Sequence, residues 1–218
     1  MIQFQNNLVD AERGIMLSTD ILDKDGIVTD LKRRADIITK ILNDKNAVHF
    51  PVDTQGVKLE TPLMAIAWLF SNNKMRQTGE RVTYFAYDAD RTCLGIITAS
   101  SDGHGNYYIA QTVDKRRYDA QCGMISLVEK MLLRQPQVRS VNVEVDYYAI
   151  DTMRHYNLRR LGYKETRTSH EECLGLGKMD FVLYTKYNPA HQPVCVQRAS
   201  LKQAASVRSY RQNQPQYV

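Results

Sequence analysis

The stretch YYIAQTVDKRRYDAQCGMISLVEKMLL, residues 107–133, decides the fold of this chain. Its first part, Tyr107–Val113, is mostly aromatic and β-branched, which predicts a strand. From Met124 onward apolar residues recur three and four apart, which predicts an amphipathic helix that ends before Pro136. The turn between strand and helix carries three consecutive cations, Lys115, Arg116 and Arg117. Free backbone N–H groups and the positive end of the helix dipole meet at such a turn, so it predicts a phosphate or pyrophosphate site.

Strands are predicted immediately before this stretch. Val82–Tyr87 and Cys93–Ser100 are separated by a short polar loop and predict a hairpin. A second turn, Ser101–Asn106, leads from the hairpin into Tyr107–Val113. Three consecutive antiparallel strands are therefore expected.

Two helices are predicted upstream of those strands. One covers Val28–Leu42, and the other begins at Thr61 and Pro62, which together form a good helix start. Nearer the N-terminus we expect a strand near Ile2–Phe4 and a short helix near Leu17–Leu22.

The elements after residue 133 alternate in type. Val138–Val145 alternates as a strand, and Ile150–Leu161 reads as a helix with Gly162 as its C-terminal cap. Tyr163–Thr168 and Met179–Tyr187 are predicted to be the last two strands. The whole order is two helices, three strands, a helix, a strand, a helix and two strands.

Composition limits the class of protein. The 218 residues are 43% hydrophobic and 24% charged, as in ordinary globular domains. We expect one domain over residues 1–188 and a basic, disordered tail over residues 189–218. The longest apolar run is far too short for a membrane span, and the N-terminus does not resemble a signal peptide. The four cysteines have no metal-ligand or disulfide spacing, which predicts no metal and a reducing, cytoplasmic setting.

The net charge of +5 is weak evidence for a nucleic-acid partner. The tail carries no acid and four basic residues, Arg198, Lys202, Arg208 and Arg211. Without the tail the chain is close to neutral, whereas nucleic-acid readers concentrate positive charge on a folded face. Nucleic acid is therefore possible but not favoured as a partner.

Three motifs stand in an order that matches one known family. They are CLGII at 93–97, VDKRRYDAQCG at 113–123 and DTMRHYNLRRLGY at 151–163. With these motifs in these places the chain resembles the GNAT superfamily of acyl-CoA-dependent N-acyltransferases, over roughly Val82 to Tyr187. The resemblance implies an α/β fold with a mixed (α+β) sheet, splayed between its fourth and fifth strands. Cofactor and acceptor would meet in that cleft, between Tyr107–Val113 and Val138–Val145.

The resemblance assigns the turn before the central helix to the cofactor. The family's pyrophosphate loop reads Arg/Gln-x-x-Gly-x-Gly/Ala, and here Tyr118, Gln121 and Gly123 take its three defined positions. Only Gly123 matches, and Arg117 can supply the charge that Tyr118 lacks. The pantetheine arm would pair with the edge of Thr112–Val113 like an added strand. The implied acyl-CoA contacts are Thr112, Val113, Arg117, Tyr118, Asp119, Ala120, Gln121, Cys122, Gly123, Met124 and Asp151.

The same resemblance indicates where catalytic groups belong. Asp151 replaces a family asparagine, and Leu158 stands where the family has a tyrosine that protonates the leaving thiolate. Tyr156 is the nearest replacement, although it is about 200° around the helix from Leu158. Glu144, on the cleft strand, is the candidate general base, with Asp146 and Gln111 also considered. Alternatively, Glu144 lies on a solvated outer face and a relayed water serves as the base.

Three hypotheses follow from the sequence. The first is an enzyme that transfers an acetyl or other acyl group from acetyl-CoA to an amine, carried by a small molecule or a protein. The second is a catalytically silent GNAT-like domain that binds CoA or a partner, which the departures at Gln121 and Leu158 suggest. The third is a GNAT-like protein that binds or modifies nucleic acid through the basic tail and Arg154, Arg159 and Arg160.

Overall fold

A computed structural model describes residues 2–42, 47–50, 62–114, 118–146, 152–173 and 177–191. Within them the chain forms nine strands, four α-helices and one 3-10 turn, Pro189–His191. The strands are β1 (Asn7–Asp10), β2 (Ile15–Ser18), β3 (Ala47–Phe50), β4 (Arg81–Tyr87), β5 (Cys93–Ser101), β6 (Asn106–Asp114), β7 (Ser140–Asp146), β8 (Lys164–Cys173) and β9 (Gly177–Tyr187). The helices are α1 (Leu31–Leu42), α2 (Pro62–Gln77), α3 (Tyr118–Leu133) and α4 (Thr152–Arg160).

All nine strands belong to one mixed sheet. Eight follow the order β1-β2-β4-β5-β6-β7-β9-β8, and β3 pairs with β6 outside this path. Among the described pairings only β6 with β7 is parallel. A parallel neighbour requires a crossover, and α3 provides it. The mixed α/β sheet and the strand order from β4 to β9 confirm the fold expected from the sequence.

The central strands β6 and β7 stay together over only half of their length. Their pairing runs from Asn106 opposite Ser140 to Ile109 opposite Val143 and then stops. Strand β5 continues along β6 as far as Val113, so the separation affects one edge of β6 alone. The expected splay of the sheet is therefore present.

The helices pack on two faces of the sheet. The larger core cluster joins the sheet to α3 and α4 and includes Met124, Val128 and Leu158. The second cluster joins the other face to α1 and α2 through Ile38 and Ala65. Side chains alternate along β6, so Val113 points to the face that carries α3 and α4. Thr112 points to the face that carries α1 and α2, where it pairs with Ile96 of the second cluster.

Polar contacts hold α3 and α4 in place beside the sheet. Lys186 of β9 donates to the Glu129 carboxylate of α3 at 2.5 Å and to the carbonyl of Leu161, just after α4, at 2.6 Å. Burial raises the pKa of Glu129, and the Lys186 ammonium opposes that shift. His155 of α4 is hydrogen-bonded through Nδ1 to the Tyr184 hydroxyl of β9 at 2.7 Å.

Gly162 ends α4 as expected. Its φ is +86°, a conformation that favours glycine. Its N–H donates to the Arg159 carbonyl at 3.0 Å, and the Tyr163 N–H donates to the Leu158 carbonyl at 3.0 Å. These two bonds form a Schellman motif, which satisfies carbonyls at the helix end.

The predictions for the N-terminus were wrong. Residues 2–5 form no strand, and the segment expected to start a helix near Leu17–Leu22 belongs instead to β2. Leu17 is fully buried in the sheet between β1 and β4, and Ile15 points to the same side. Strands of only 4 residues carry too few positions for their period to be distinguished from that of a helix.

The domain boundary expected at residue 188 remains a prediction. Asn188 is buried, and its side chain donates to the Val138 carbonyl at 2.9 Å, so the folded part reaches at least this residue. Residues 192–218, most of the expected tail, lie outside the described residues. In the part of the chain that is described, no helix is both long and apolar enough to cross a membrane.

Candidate functional site

A narrow cavity lies where β6 and β7 separate, between α3 and α4. Its volume is about 20 Å³, which is room for roughly one water molecule. Its walls are mostly apolar and come from both helices and both strands. The lining residues are Gln111, Gln121, Cys122, Ile125, Val143, Val145, Asn157, Leu158 and Leu161.

Two polar side chains in this cavity have unsatisfied atoms. Gln111 is 6% exposed and Gln121 is 3% exposed. The Gln111 Oε1 acceptor and the Gln121 Nε2 donor have no hydrogen-bond partner among the described residues. A buried polar atom without a partner costs about 1–3 kcal/mol, so this pair needs an explanation.

The N-terminal turns of α3 carry the residues expected at the cofactor. The helix begins at Tyr118, with Asp119 in its first turn. Ala120 and Met124 are buried in the core cluster, so their side chains serve packing. Cys122 is half-buried, forms no disulfide among the described residues and lines the cavity. Residues 115–117, with the expected cation Arg117, and Asp151 lie outside the described residues.

Gly123 has a packing role that the sequence did not reveal. A Cβ at this position would lie 2.4 Å from Cδ1 of Ile15 in β2 and 3.3 Å from Cδ of Arg13. Glycine therefore allows the β1–β2 hairpin to rest directly on the first turns of α3. The glycine matches the family's loop, but the tightest contact at this position is with Ile15.

Arg13 is a cation near α3 that the sequence analysis missed. It lies in the turn between β1 and β2, and its guanidinium donates to the Asp10 carboxylate at 2.6 Å. This hydrogen bond raises the pKa of Arg13 and lowers the pKa of Asp10. Arg13 approaches α3 only through the folded hairpin, so no local pattern could have identified it.

Helix α4 presents Leu158, and not Tyr156, to the cavity. Leu158 is 3% exposed and lines the cavity wall. Tyr156 is 54% exposed, and the Arg160 guanidinium lies 5.7 Å from the centre of its ring. The structure therefore does not bring Tyr156 to the other candidate residues, as its angle from Leu158 around the helix indicated.

Glu144 belongs to the opposite side of the sheet. It alternates along β7 with Val143 and Val145, which both line the cavity. Its half-buried side chain therefore points to the face that carries α1 and α2, the same face as Thr112. Glu144 lies just beyond the point where β6 and β7 separate. Its side chain, however, points to the face opposite that of Gln111.

Strand β3 occupies part of the expected cofactor edge. It pairs antiparallel with β6, with Val48 opposite Val113 and His49 opposite Thr112. Because β5 pairs with the other edge of the same β6 residues, β3 must lie on the edge that β7 leaves. The backbone groups expected to bind the pantetheine arm thus face β3.

Comparison with known proteins identifies the class of fold. No protein-family model matches the sequence, and no curated protein matches it. Among solved structures, the ribosomal L7/L12 alpha-N-protein acetyltransferase RimL in complex with coenzyme A matches with a TM-score of 0.62 at 12% identity. That match covers 84% of this chain and 99% of RimL.

Two further structures give the same result. The microcin C7 self-immunity acetyltransferase MccE, in complex with acetyl-CoA and AMP, has a TM-score of 0.61 at 10% identity and covers 80% of this chain and 92% of its own. A variant of spermidine N-acetyltransferase SpeG from Vibrio cholerae has a TM-score of 0.57 at 12% identity. That match covers 84% of this chain and 98% of SpeG. This chain therefore has the fold of the GNAT acetyltransferases, which confirms the expected fold.

Proposed function

We propose that this protein is an N-acyltransferase that moves an acyl group, acetyl in the simplest case, from coenzyme A to an amine. The observation that carries the proposal is the separation of β6 and β7, with a narrow cavity at the first turns of α3. RimL and MccE, which have this fold, were solved with coenzyme A or acetyl-CoA bound. Acetyl-CoA is accordingly the proposed co-substrate, and no metal is part of the proposal.

The residues at this site fit such a co-substrate. The pyrophosphate would lie at the N-terminal turns of α3, where backbone N–H groups are free. Arg117 and Arg13 would add positive charge there, although Arg13 also serves Asp10. The acyl-bearing arm would then run through the cavity and along the Thr112–Val113 edge, once β3 has left that edge.

The two faces of the sheet would divide the chemistry. Glu144, on the α1 and α2 face, would take the proton that an attacking amine loses. The thiolate would leave on the side of α3 and α4, where Leu158 has no proton to give. Of the side chains that line the cavity, Cys122 is the one with an ionisable proton, and solvent is the alternative donor.

A silent acyl-CoA-binding protein is the second candidate function. Leu158 in the cavity wall and the exposed position of Tyr156 both favour it, because no tyrosine hydroxyl among the described residues lines the cavity. Both candidates require CoA binding and differ only in turnover.

The described residues give little support to a nucleic-acid function. Two of the three arginines on α4 already have partners, since Arg159 pairs with Glu165 at 3.5 Å and Arg160 lies over Tyr156. The acceptor in our proposal is an amine of a protein or a small molecule, since RimL is an acetyltransferase of a ribosomal protein and SpeG is one of spermidine.

Ligand-dependent melting and thiol release test the proposal together. Acetyl-CoA should raise the melting temperature of the full chain, because a ligand that binds only the folded state stabilises it. Thiol release should then depend on an amine from a panel of peptides and polyamines. Stabilisation without release would favour the silent binder, and no stabilisation at millimolar acetyl-CoA would contradict both candidates.

A further inference from the structure

The unsatisfied glutamine pair forms a polar position inside the mostly apolar cavity. Gln111 comes from β6 and Gln121 from the first turns of α3, so two separate elements bring a free acceptor and a free donor into one cavity. Both side chains are more than nine-tenths buried. Because buried polar groups are almost always paired, these two atoms require a water or a ligand in the cavity that makes the missing bonds.

The chemistry of that ligand follows from the walls of the cavity. Oε1 of Gln111 requires a donor, and Nε2 of Gln121 requires an acceptor. Most of the surrounding side chains are aliphatic, and the space of about 20 Å³ admits one small polar group, such as a single amide of a thin chain. A secondary amide flanked by methylene groups provides one N–H and one C=O in such a chain. The pantetheine arm of acyl-CoA has this structure.

We infer that Gln111 and Gln121 form an amide-binding pair that recognises the pantetheine arm and selects the acyl carrier. The inference rests on the proposed function, since it names how the same site reads its co-substrate. Without ligand, the cavity has room for about one water molecule. An amide of the arm displaces that water and makes the hydrogen bonds to Gln111 and Gln121 itself. An apolar group in the same place would leave both side chains without a partner and would lower the affinity.

The pair also gives a role to the residue that departs from the family's loop. The family has glycine where this chain has Gln121, and a long side chain that lay over the helix N-terminus would crowd a phosphate. In the structure Gln121 is 3% exposed and lines the cavity together with Gln111 of β6. The departure therefore adds a hydrogen-bond donor to the cavity beside α3.

Gln111→Met and Gln121→Met test the pair, because methionine keeps the length of glutamine and removes its hydrogen bonds. Gln137→Met, on an exposed residue, is the matched control. Binding of two ligands is measured calorimetrically on the full chain. Acetyl-CoA carries the arm, and adenosine 3′,5′-bisphosphate carries only the nucleotide end.

We expect each variant to weaken acetyl-CoA binding about tenfold, as the loss of one buried hydrogen bond implies. Binding of adenosine 3′,5′-bisphosphate should stay unchanged, and the unliganded variants should melt no lower than the parent, because an orphan polar atom is removed. If the variants bind acetyl-CoA as tightly as the parent, or if binding of both ligands weakens equally, the inference is overturned and the proposed function is not. Failure of the parent chain to bind acetyl-CoA would overturn the proposed function as well.

Discussion

Gln111 and Glu144 lie on the two strands that separate at the cleft, but their side chains point to opposite faces of the sheet. Gln111 lines the cavity beside α3 and α4. Glu144 alternates along β7 with Val143 and Val145, which line the same cavity, so Glu144 points away from it. A ligand arm on one face and an acceptor on the other would meet only at the gap between the strands. In the proposed function, binding of the acyl carrier and deprotonation of the amine would therefore occur on opposite faces of the sheet.

The position of Glu144 predicts a defect in turnover and not in carrier binding. Glu144→Gln removes a proton acceptor from the acceptor face, so kcat should fall about 100-fold or more, as for loss of a general base. The dissociation constant of acetyl-CoA should not change. Steady-state kinetics and calorimetry measure the two quantities.

Glu165→Gln is the matched control for that variant, because Glu165 is exposed and pairs with Arg159 on the surface. Its kinetics should equal those of the parent. If Glu144→Gln keeps full kcat, a relayed water serves as the base, as the sequence analysis left open.

Tyr156 is expected to have no part in catalysis. Its ring is 54% exposed and does not line the cavity. Tyr156→Phe removes only the hydroxyl, so kcat should change by less than about twofold, far below the effect of losing a catalytic acid. A loss of more than tenfold in steady-state assays would show that the hydroxyl reaches the leaving thiolate during turnover.

Gly123 and Ile15 should be energetically coupled. A Cβ on residue 123 would lie 2.4 Å from Cδ1 of Ile15, and such overpacking costs about 1–3 kcal/mol. Alanine gains roughly 1 kcal/mol over glycine inside a helix, so Gly123→Ala should destabilise the fold by up to about 2 kcal/mol. Ile15→Val removes that Cδ1 atom and should recover part of the loss. A double-mutant cycle by urea denaturation measures the coupling.

Additive effects in that cycle would show that Ile15 does not limit the size of residue 123. A variant with unchanged stability and weakened acetyl-CoA binding would instead assign Gly123 to the ligand loop. The cycle, combined with the binding measurement, thus distinguishes packing from phosphate contact, which ligand binding alone does not.

The sequence predicted the fold well where elements are long and adjacent. The strand β6, the turn and the helix α3 lie in one segment, and their periods of two and 3.6 are visible over many residues. The short strands β1, β2 and β3 were missed, because each has 4 residues and depends on partners far along the chain. Helical periodicity also placed Tyr156 correctly away from Leu158.

The site was less predictable for the same physical reason. Position 121 was recognised as unusual from the sequence, but its meeting with Gln111 depends on how α3 packs across β6. Contacts of Arg13 and Ile15 with α3 require the N-terminal hairpin to fold onto the helix. Such long-range contacts leave no periodic pattern in the local sequence.

The cysteines of the two core faces should differ in reactivity. Burial raises the pKa of the Cys93 thiol to about 11, so its thiolate is scarce at pH 8. Cys122 lines the cavity and should react faster with iodoacetamide. Acetyl-CoA should slow the alkylation of Cys122 and leave that of Cys93 unchanged, as followed by peptide mass spectrometry. Equal protection of both residues would indicate general stabilisation of the fold.

Strand β3 should compete with the acyl carrier for the β6 edge. It pairs with residues 111–114, the backbone that the pantetheine arm would use. His49→Pro removes a backbone N–H and disfavours this pairing. The apparent affinity for acetyl-CoA should rise, because a larger fraction of the protein is then competent to bind.

His49→Ala is the control for that variant, since it changes the side chain and keeps the N–H. We expect it to bind acetyl-CoA as the parent does. Calorimetry on the three proteins decides the question. A lower affinity in His49→Pro than in His49→Ala would mean that β3 supports the bound carrier, because then the strand contributes to the site and does not have to leave it.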